Sequence, residues 1–235
     1  MNFVYPDIDF VFDTEDRGVH TLVIENQSMF QSLLEDIYNQ LQGDNGKSII
    51  SDKYKPLAFA KHCEMLSQFI PFSLNKKPIL TKVSQLLSTK AMSDDHFLIT
   101  SELLSNIESI MYNLAFDLDF DLDFSSITIE SLIKSVGVLL KDTHETLGEK
   151  IIDYIEIVNR LERRKIYFLI NIRSYISDEE MLLFIETVLQ HDFDVIIIES
   201  AERPLLKGEL RYVIDKSLCE IVSTTSTIEW PRIPS

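Results

Sequence analysis

Residues 166–199, IYFLINIRSYISDEEMLLFIETVLQHDFDVIIIE, contain the pattern that decides the fold. Two short runs are apolar, IYFLI at 166–170 and VIIIE at 195–199, and the segment between them begins as a capped helix at SDEE. A strand that is apolar throughout is buried on both faces, which is typical of a parallel sheet covered by helices. The segment therefore predicts a strand–helix–strand unit within a parallel sheet.

Further strands and helices lie on both sides of this unit. Residues 2–12 and 20–25 alternate between apolar and polar side chains, which predicts two strands joined as a hairpin. A helix is predicted over 26–41, because Asn26 suits the N-cap and an apolar stripe follows. The apolar runs at 211–215 and 218–222 predict the last strands of the sheet.

The order of these elements predicts an α/β fold with a parallel-containing sheet and an additional helical part. We expect a core domain formed by residues 1–42 and 114–223, since the predicted strands lie in those two ranges. Residues 43–113 are expected to form a lysine-rich, α-helical insertion. The last residues, 224–235, are expected to form a loose tail.

The insertion is predicted to contain several helices. Residues 51–70 are expected to contain a helix, and a longer helix covers 93–113, where apolar side chains recur with helical spacing. We expect that spacing to produce a buried stripe, which consists of Phe97, Leu98, Leu103, Leu104, Ile107, Ile110 and Met111.

The segment GDNGKS, residues 43–48, resembles a phosphate-binding loop only at its end. In that loop the first glycine precedes the glycine of GK by five positions, and Leu41 occupies this place. The loop also follows a strand, whereas GDNGKS follows a predicted helix. We therefore predict a helix stop and a turn here, and no nucleotide-binding loop.

The chain is acidic, but its lysines are concentrated in one segment. The formal net charge is −16, yet residues 44–90 carry 8 lysines against 3 acidic side chains. Clustered ammonium groups indicate a surface that faces phosphate, although a solvated lysine-rich face gives the same pattern. In and beyond this segment, the candidate DNA-contact residues are Lys47, Lys53, Lys55, Lys134 and Lys141.

Residues 115–124, AFDLDFDLDF, alternate apolar and acidic side chains. This period of two predicts an extended, half-buried segment with four carboxylates in a row on its exposed side. Like charges at that spacing repel one another, so a bound cation would stabilise the row. Together with a glutamate from the short helix that follows, the candidate metal ligands are Asp117, Asp119, Asp121, Asp123 and Glu130.

Three interpretations of the acidic row remain open. Its spacing is close to that of an EF-hand, but Phe124 stands where that loop needs glycine, so a calcium site of different geometry is favoured. The carboxylates could instead hold the metal ions of a nuclease, with Lys134 as the nearby lysine. The third interpretation is an edge strand that its charges protect from aggregation.

Other features narrow the class of protein. Cys63 and Cys219 fit neither a CxxC motif nor a disulfide framework, and no apolar run is long enough to span a bilayer. The first residues lack the basic region of a secretory signal. We therefore expect a cytoplasmic protein with reduced thiols and no membrane partner.

Several blocks of the sequence together resemble one known family. They are ITIESLIKSVGV (127–138), KIYFLINIRSYISDEEM (165–181), and DVIIIESAERPLL followed by YVIDK (194–216). In the order and spacing of these blocks the chain resembles the short form of the Csn-two family, ring-forming CRISPR-associated proteins of type II-A adaptation modules. The resemblance implies an α/β core related to nucleotide-binding folds but without their phosphate loop, plus an α-helical extension.

The resemblance also implies a function in antiviral defence. It implies a non-catalytic homotetrameric ring that is stabilised by calcium and binds double-stranded DNA ends independently of sequence. Such a ring supports spacer acquisition beside the CRISPR integrase subunits and the RNA-guided effector nuclease. The implied cofactor is Ca²⁺, and the implied partners are DNA ends, these proteins and further copies of the chain.

The family's site residues are matched unevenly in this sequence. Its acidic calcium segment is matched at Asp119, Asp121 and Asp123. Two further acidic positions fall on Ser125 and Ser131, so either fewer ligands serve here or different ones, such as Asp117 and Glu130, replace them. Lys134 matches a lysine in the helix after the acidic segment, and it is the leading single candidate for DNA contact.

Overall fold

The structure, a computed structural model, describes residues 1–16, 18–118 and 121–224. The chain divides into two compact units, Met1–Phe72 with His144–Ser235, and Ser73–Thr143. The strands are β1 (Asn2–Val4), β2 (Val11–Asp13), β3 (Val19–Ile24), β4 (Ile49–Asp52), β5 (Lys55–Pro56), β6 (Cys63–Leu66), β7 (Ile166–Ile170), β8 (Asp194–Glu199), β9 (Glu209–Ile214) and β10 (Glu220–Thr224). The helices are α1 (Gln27–Gln42), α2 (Phe59–His62), α3 (Lys77–Ala91), α4 (Phe97–Phe116), α5 (Ile129–Val136), α6 (Leu147–Leu161) and α7 (Asp178–Gln190). The predicted tail from residue 225 onward lies outside the described residues.

A six-stranded sheet is the centre of the first unit, in the strand order β10-β9-β3-β8-β7-β6 across the described residues. Five of these strands are parallel to their neighbours, and β10 pairs antiparallel with β9 at one edge. The predicted α/β class with parallel strands is confirmed. The β7–α7–β8 segment forms the strand–helix–strand unit that its apolar runs predict, and every residue of β7 and β8 is buried.

Successive side chains of β7 lie in different layers. Phe168 belongs to a core shared with the small sheet, where its ring centroid lies 4.9 Å from that of Phe3. On the other face, the Tyr167 hydroxyl donates to Asn159 Oδ1 of α6 at 2.9 Å. Helices α6 and α7 pack against each other and are anchored by the buried side chains Ile151, Tyr154, Ile155, Met181, Phe184 and Ile185.

A small antiparallel sheet, in the order β2-β1-β4-β5, supplies the layer next to Phe168. Its Phe3 and Ile50 share a core with Leu33 and Ile37 of α1. The predicted hairpin of residues 2–12 with 20–25 is wrong. Residues 2–12 contain β1 and the start of β2, which pair with each other, and β3 belongs to the large sheet.

Buried charged side chains connect three parts of the large sheet, which are the segment after β7, the end of β8, and β9. Arg211 Nη2 donates to both carboxylate oxygens of Glu209, at 2.8 and 2.7 Å, and Arg173 Nη1 lies 3.7 Å from the same carboxylate. The backbone N–H of Arg173 donates to Glu199 Oε1 at 3.0 Å. Burial raises the pKa of Glu199. Because each buried charge has a partner, removing any one of them would leave another uncompensated.

The predicted extended segment at 115–124 is wrong for the residues of this range that the structure describes. Its first two residues complete α4, and residues 121–128 form no strand. They return along α4 instead: the Tyr112 hydroxyl donates to Asp123 Oδ1 at 3.2 Å, and Ile127 N–H donates to Glu108 Oε1 at 3.1 Å. Contacts with a helix therefore replace the strand pairing that a period of two normally indicates.

Helix α4 has the predicted position, but its apolar stripe is not buried. Leu98 is 78% exposed and Ile110 is 57% exposed, and Leu104 and Ile107 are only half-buried. This 20-residue helix is apolar around most of its circumference, and much of that apolar surface is left exposed in the chain. No helix within the described ranges is both long and apolar enough to cross a membrane.

Residues 43–72 belong to the first unit, in contrast to the predicted insertion 43–113. β4, β5 and β6 lie in this range, and within the predicted helix 51–70 only Phe59–His62 is helical. Cys63–Leu66 pairs parallel with β7 at the edge of the large sheet. Short apolar runs do not distinguish a strand from a helix, and the helical unit is therefore Ser73–Thr143.

The GDNGKS segment follows α1 and is tied back to it. Gly43 ends the helix with a left-handed φ of 97°. Asp36 accepts hydrogen bonds from the backbone N–H groups of Lys47 at 2.6 Å and Ser48 at 2.8 Å. These groups bind a carboxylate of the chain itself, so the segment is a helix stop and a turn, as predicted.

Asp36→Ala is expected to lower the free energy of unfolding by about 2 kcal/mol at neutral pH, because buried Ser48 loses its charged acceptor. Urea denaturation measures this change. Asp44→Ala, at an exposed position beside Gly43, is the control and is expected to change stability by less than about 0.5 kcal/mol. Equal losses in the two variants would contradict the role of Asp36.

The same carboxylate predicts a pH dependence. Burial acts to raise the pKa of Asp36, but hydrogen bonds from Ser48, Lys47 and Gln40 outweigh it and hold the pKa below its ordinary value. A carboxylate of this kind stabilises the fold above its unfolded pKa of about 4, and the contribution is lost as the pH falls through the folded value. The stability gap between wild type and Asp36→Ala should therefore narrow between about pH 6 and pH 3.

Candidate nucleic-acid interface

A groove of about 890 Å³ lies between α3 and α5 in the second unit. Two lysines line it: Lys77 in the first turn of α3 and Lys134 in the last turn of α5. Glu130, one turn before Lys134, also lines the groove. The groove therefore has two cations and one carboxylate on its described walls.

The hydroxyl groups that line this groove are already engaged as donors. Thr81, Ser84, Ser88 and Thr89 each donate to the carbonyl of the residue four positions earlier in α3, at 2.8 to 3.1 Å. A hydroxyl bonded back to its own helix has no hydrogen left for a phosphate oxygen. The two lysines are thus the charged groups of the groove that can bind an anion, and the Gln85 amide is a neutral donor beside them.

The short helix α5 places Lys134 at the groove. Thr128 and Ser131 form a reciprocal capping box at its start, and Gly137, with φ of 79°, ends it. Ser131 is one of the positions where an acidic residue was expected from the family resemblance, and here it serves the helix cap. Lys134 is exposed and pairs with no carboxylate among the described residues.

Lys141 lies after α5 in an irregular segment that is anchored beside it. The Leu140 backbone N–H donates to Asn75 Oδ1 at 2.8 Å, and the Leu140 carbonyl accepts from Asn75 Nδ2 at 3.2 Å. Asn75 itself lines the groove between α3 and α5. The exposed Lys141 is therefore held next to a groove residue and lies in the same unit as Lys134.

The candidate lysines of the first unit differ in their electrostatic surroundings. Lys47 Nζ lies 2.9 Å from Asp7 Oδ2, so its charge is already paired. Lys53 and Lys55 lie at the turn between β4 and β5, exposed and without an ion pair in the described ranges. The structure therefore favours Lys53 and Lys55 over Lys47 as anion-binding groups.

The acidic row is distributed over different elements. Asp117 is the C-cap residue of α4, Asp121 lies in the irregular segment, and Glu130 lies in the first turn of α5. Asp123 Oδ1 accepts from Tyr112 Oη at 3.2 Å and from its neighbour's backbone N–H at 2.9 Å, and the contact with Asp123 raises the pKa of Tyr112. Asp119 lies outside the described residues.

The acidic row offers oxygen donors of the kind that Ca²⁺ binds. Their arrangement among the described residues, however, does not form a calcium site. Carboxylate oxygens are the ligands that Ca²⁺ prefers, and these side chains are exposed. Within the described part of the chain, however, no three His, Cys, Asp or Glu side chains are grouped as a metal site. An ion would have to draw ligands together from α4, α5 and the segment between them.

Sequence reasoning missed two residues that the structure brings to notice. Lys77 lines the groove opposite Lys134, and Pro78, a residue favoured in the first helical turn, marked the helix start that places it there. Tyr54 lies between Lys53 and Lys55 and is fully exposed. The sequence did contain a signal for Tyr54, which is an aromatic residue between two lysines.

Comparison with known proteins agrees with the fold. A solved structure, Stu0660 of Streptococcus thermophilus, matches with a TM-score of 0.55 and 14% sequence identity, over 92% of this chain and 75% of that one. Its strand and helix arrangement is thus shared with this chain, and at this identity the likeness concerns the fold alone.

Sequence comparison identifies relatives as well. CRISPR-associated protein Csn2 of Streptococcus agalactiae is 25% identical over 196 residues, which are 83% of this chain and 86% of the relative. CRISPR-associated protein Csn2 of Enterococcus faecalis is 22% identical over 91 residues, 39% of this chain and 40% of that protein. The family model Cas_Csn2, described as CRISPR-associated protein, matches residues 40–218. Because this match covers most of the chain, the protein belongs to the Csn2 family of CRISPR-associated proteins.

Proposed function

We propose that this chain is a non-catalytic protein of spacer acquisition that binds the ends of double-stranded DNA independently of sequence. In this proposal the chain assembles as a homotetrameric ring that calcium stabilises, in the cytoplasm. Its partners are the integrase subunits and the RNA-guided effector nuclease of the same CRISPR system. Membership of the Csn2 family supports a role in CRISPR defence, and the details rest on the charges and surfaces described above.

The observation that carries the proposal is a set of free lysines on a strongly acidic chain. No carboxylate of the described residues pairs with the exposed side chains of Lys53, Lys55, Lys61, Lys77, Lys90, Lys134 and Lys141. A net charge of −16 would repel DNA at a distance, so binding requires that such cations face the duplex together. Contacts of ammonium groups with phosphates give affinity without sequence preference.

Assembly into a ring is supported by the exposed apolar side of α4. Large apolar residues are exposed along its whole length, from Phe97 and Leu98 to Leu114 and Phe116. Contiguous apolar surface of this kind marks a protein interface, and closed symmetry uses the same surface on every subunit. In the proposed ring, the lysines of several subunits face one duplex.

Calcium has a specific role in this proposal. Asp117 ends α4 and Asp121 lies a few residues after it, next to the apolar surface that further copies would cover. Carboxylates at an interface repel those of the neighbouring subunit unless a cation lies between them. A bound Ca²⁺ would therefore favour assembly, and a chelator would oppose it.

The protein is expected to bind linear duplex and to retain little closed circular DNA, because a closed circle has no end to enter a ring. Electrophoretic mobility assays on the same plasmid, cut and uncut, measure this difference. Affinity should fall steeply as salt increases, since bound phosphates release counterions. Equal binding of both forms would refute end recognition, and cleavage with Mg²⁺ or Mn²⁺ that Asp121→Ala abolishes would favour the nuclease alternative.

Lys134→Glu is expected to weaken binding equally on duplexes of unrelated sequence, and to reduce the slope of log affinity against log salt by about one. Fluorescence anisotropy at several salt concentrations measures both quantities. Lys216→Glu is the matched control, because Lys216 is an exposed lysine outside the lysine-rich segment and the groove. A loss confined to one sequence, or equal losses in both variants, would contradict a phosphate contact by Lys134.

Calcium is expected to increase the mass of the particle, and chelation is expected to decrease it. Light scattering with calcium and then with chelator measures the mass directly. Asp121→Asn should weaken the response to calcium, because the amide keeps the shape of the side chain and removes its charge. Asp44→Asn, an exposed position in the first unit, is the control. A mass that ignores calcium would exclude this role of the ion.

A further inference from the structure

The turn between β4 and β5 adopts a backbone conformation that its residues disfavour. Asp52 pairs with Lys55, so Lys53 and Tyr54 form a two-residue hairpin turn. Both have positive φ, 47° for Lys53 and 64° for Tyr54. Two-residue turns of this kind strongly prefer Asn-Gly, because residues with larger side chains clash with their own backbone there. The residues at this turn are therefore not the ones that the local backbone favours.

The packing of the fold does not explain these residues either. Tyr54 is 100% exposed, so its ring buries no apolar surface in the chain. Lys53 and Lys55 are exposed on either side of it and have no carboxylate partner in the described part of the chain. A strained position with an exposed aromatic ring indicates that the side chain is retained for a contact outside the subunit.

We infer that the hairpin tip Lys53–Lys55 contacts the terminal base pair of duplex DNA, with the Tyr54 ring stacked on its open face and the two lysines on flanking phosphates. Bases inside a duplex are stacked on both sides, and only an end presents a free base surface to a ring. This inference rests on the proposed function and adds the group that distinguishes an end from the interior of the duplex.

The test compares one duplex in two forms, with open blunt ends and with both ends closed by hairpin loops. Tyr54→Ala is expected to weaken binding to the open form about tenfold and to change binding to the closed form little, because only the open form offers a base face. Tyr38→Ala is the matched control, since Tyr38 is another exposed tyrosine, 52% exposed, and lies on α1 outside the hairpin turn. Fluorescence anisotropy measures all affinities.

A second variant, Tyr54→Gly, distinguishes loss of the DNA contact from a change in the stability of the fold. Like Tyr54→Ala it removes the ring, but glycine accepts positive φ without strain. Tyr54→Gly is therefore expected to unfold at a higher temperature than Tyr54→Ala while both bind open ends equally weakly. A stable glycine variant that binds open ends as wild type does would overturn the inference, and the same affinity of Tyr54→Ala and wild type would do so independently.

These outcomes are distinct from failure of the proposed function. If the wild-type protein does not bind open linear duplex at all, the proposed DNA-end binding is wrong, and the inference falls with it. If wild type binds open ends and the Tyr54 variants bind them equally well, only the stacking contact is wrong. Equal losses of the Tyr54 variants on open and closed duplexes would show a contact with the duplex interior and also overturn the inference.

Discussion

The burial of β7 and β8 on both faces is the constraint on which the rest of the structure depends. Strands that expose no residue need a covering layer on each side, and each large apolar side chain so buried stabilises the fold by about 1.5–3 kcal/mol. The small sheet with α1 supplies one layer, and α6 with α7 supplies the other. The described segments on both sides of Ser73–Thr143 therefore contribute to the core. The segment Ser73–Thr143 leaves it after Phe72 and rejoins it at His144, so its residues are free of that requirement.

This division separates two uses of charge. Inside the first unit, Arg173 and Arg211 converge on the buried carboxylate of Glu209, which orients the loops beyond the parallel strands. At the surface, several lysines lack any such partner among the described residues. Lys47 differs from them, because its ammonium group is paired with the carboxylate of Asp7. Charges that a fold does not use for itself are available for a ligand. In this acidic chain, the ligand that we propose for them is the phosphate backbone of DNA.

The parts of the fold that could be predicted from sequence are those in which local pattern and burial agree. The apolar runs of β7 and β8, the Asn26 cap of α1 and the Gly137 stop of α5 each carry their own physical signal. The alternating row at 115–124 carries an equally clear signal, and still its described residues, 115–118 and 121–124, form no strand, because strand pairing depends on a neighbour that the pattern does not specify. Cys63–Leu66 shows the reverse case, since this segment, CEML, has no strand pattern of its own and forms a strand by pairing with the edge of β7. Of the candidate site, the lysines were predictable from charge, whereas the grouping of Lys77 with Lys134 required the helix geometry.

The uncovered side of α4 has a consequence for how a cell must make this protein. A freshly synthesised subunit presents a long hydrocarbon surface to water from the moment that it folds, and molecular chaperones bind surfaces of that kind. In the proposed assembly, the lifetime of a single chain would therefore depend on how soon it meets further copies of itself. The rate at which the cell makes the protein would then affect its survival. A subunit made in small amounts would stay exposed to proteases and aggregation for longer than one made in large amounts.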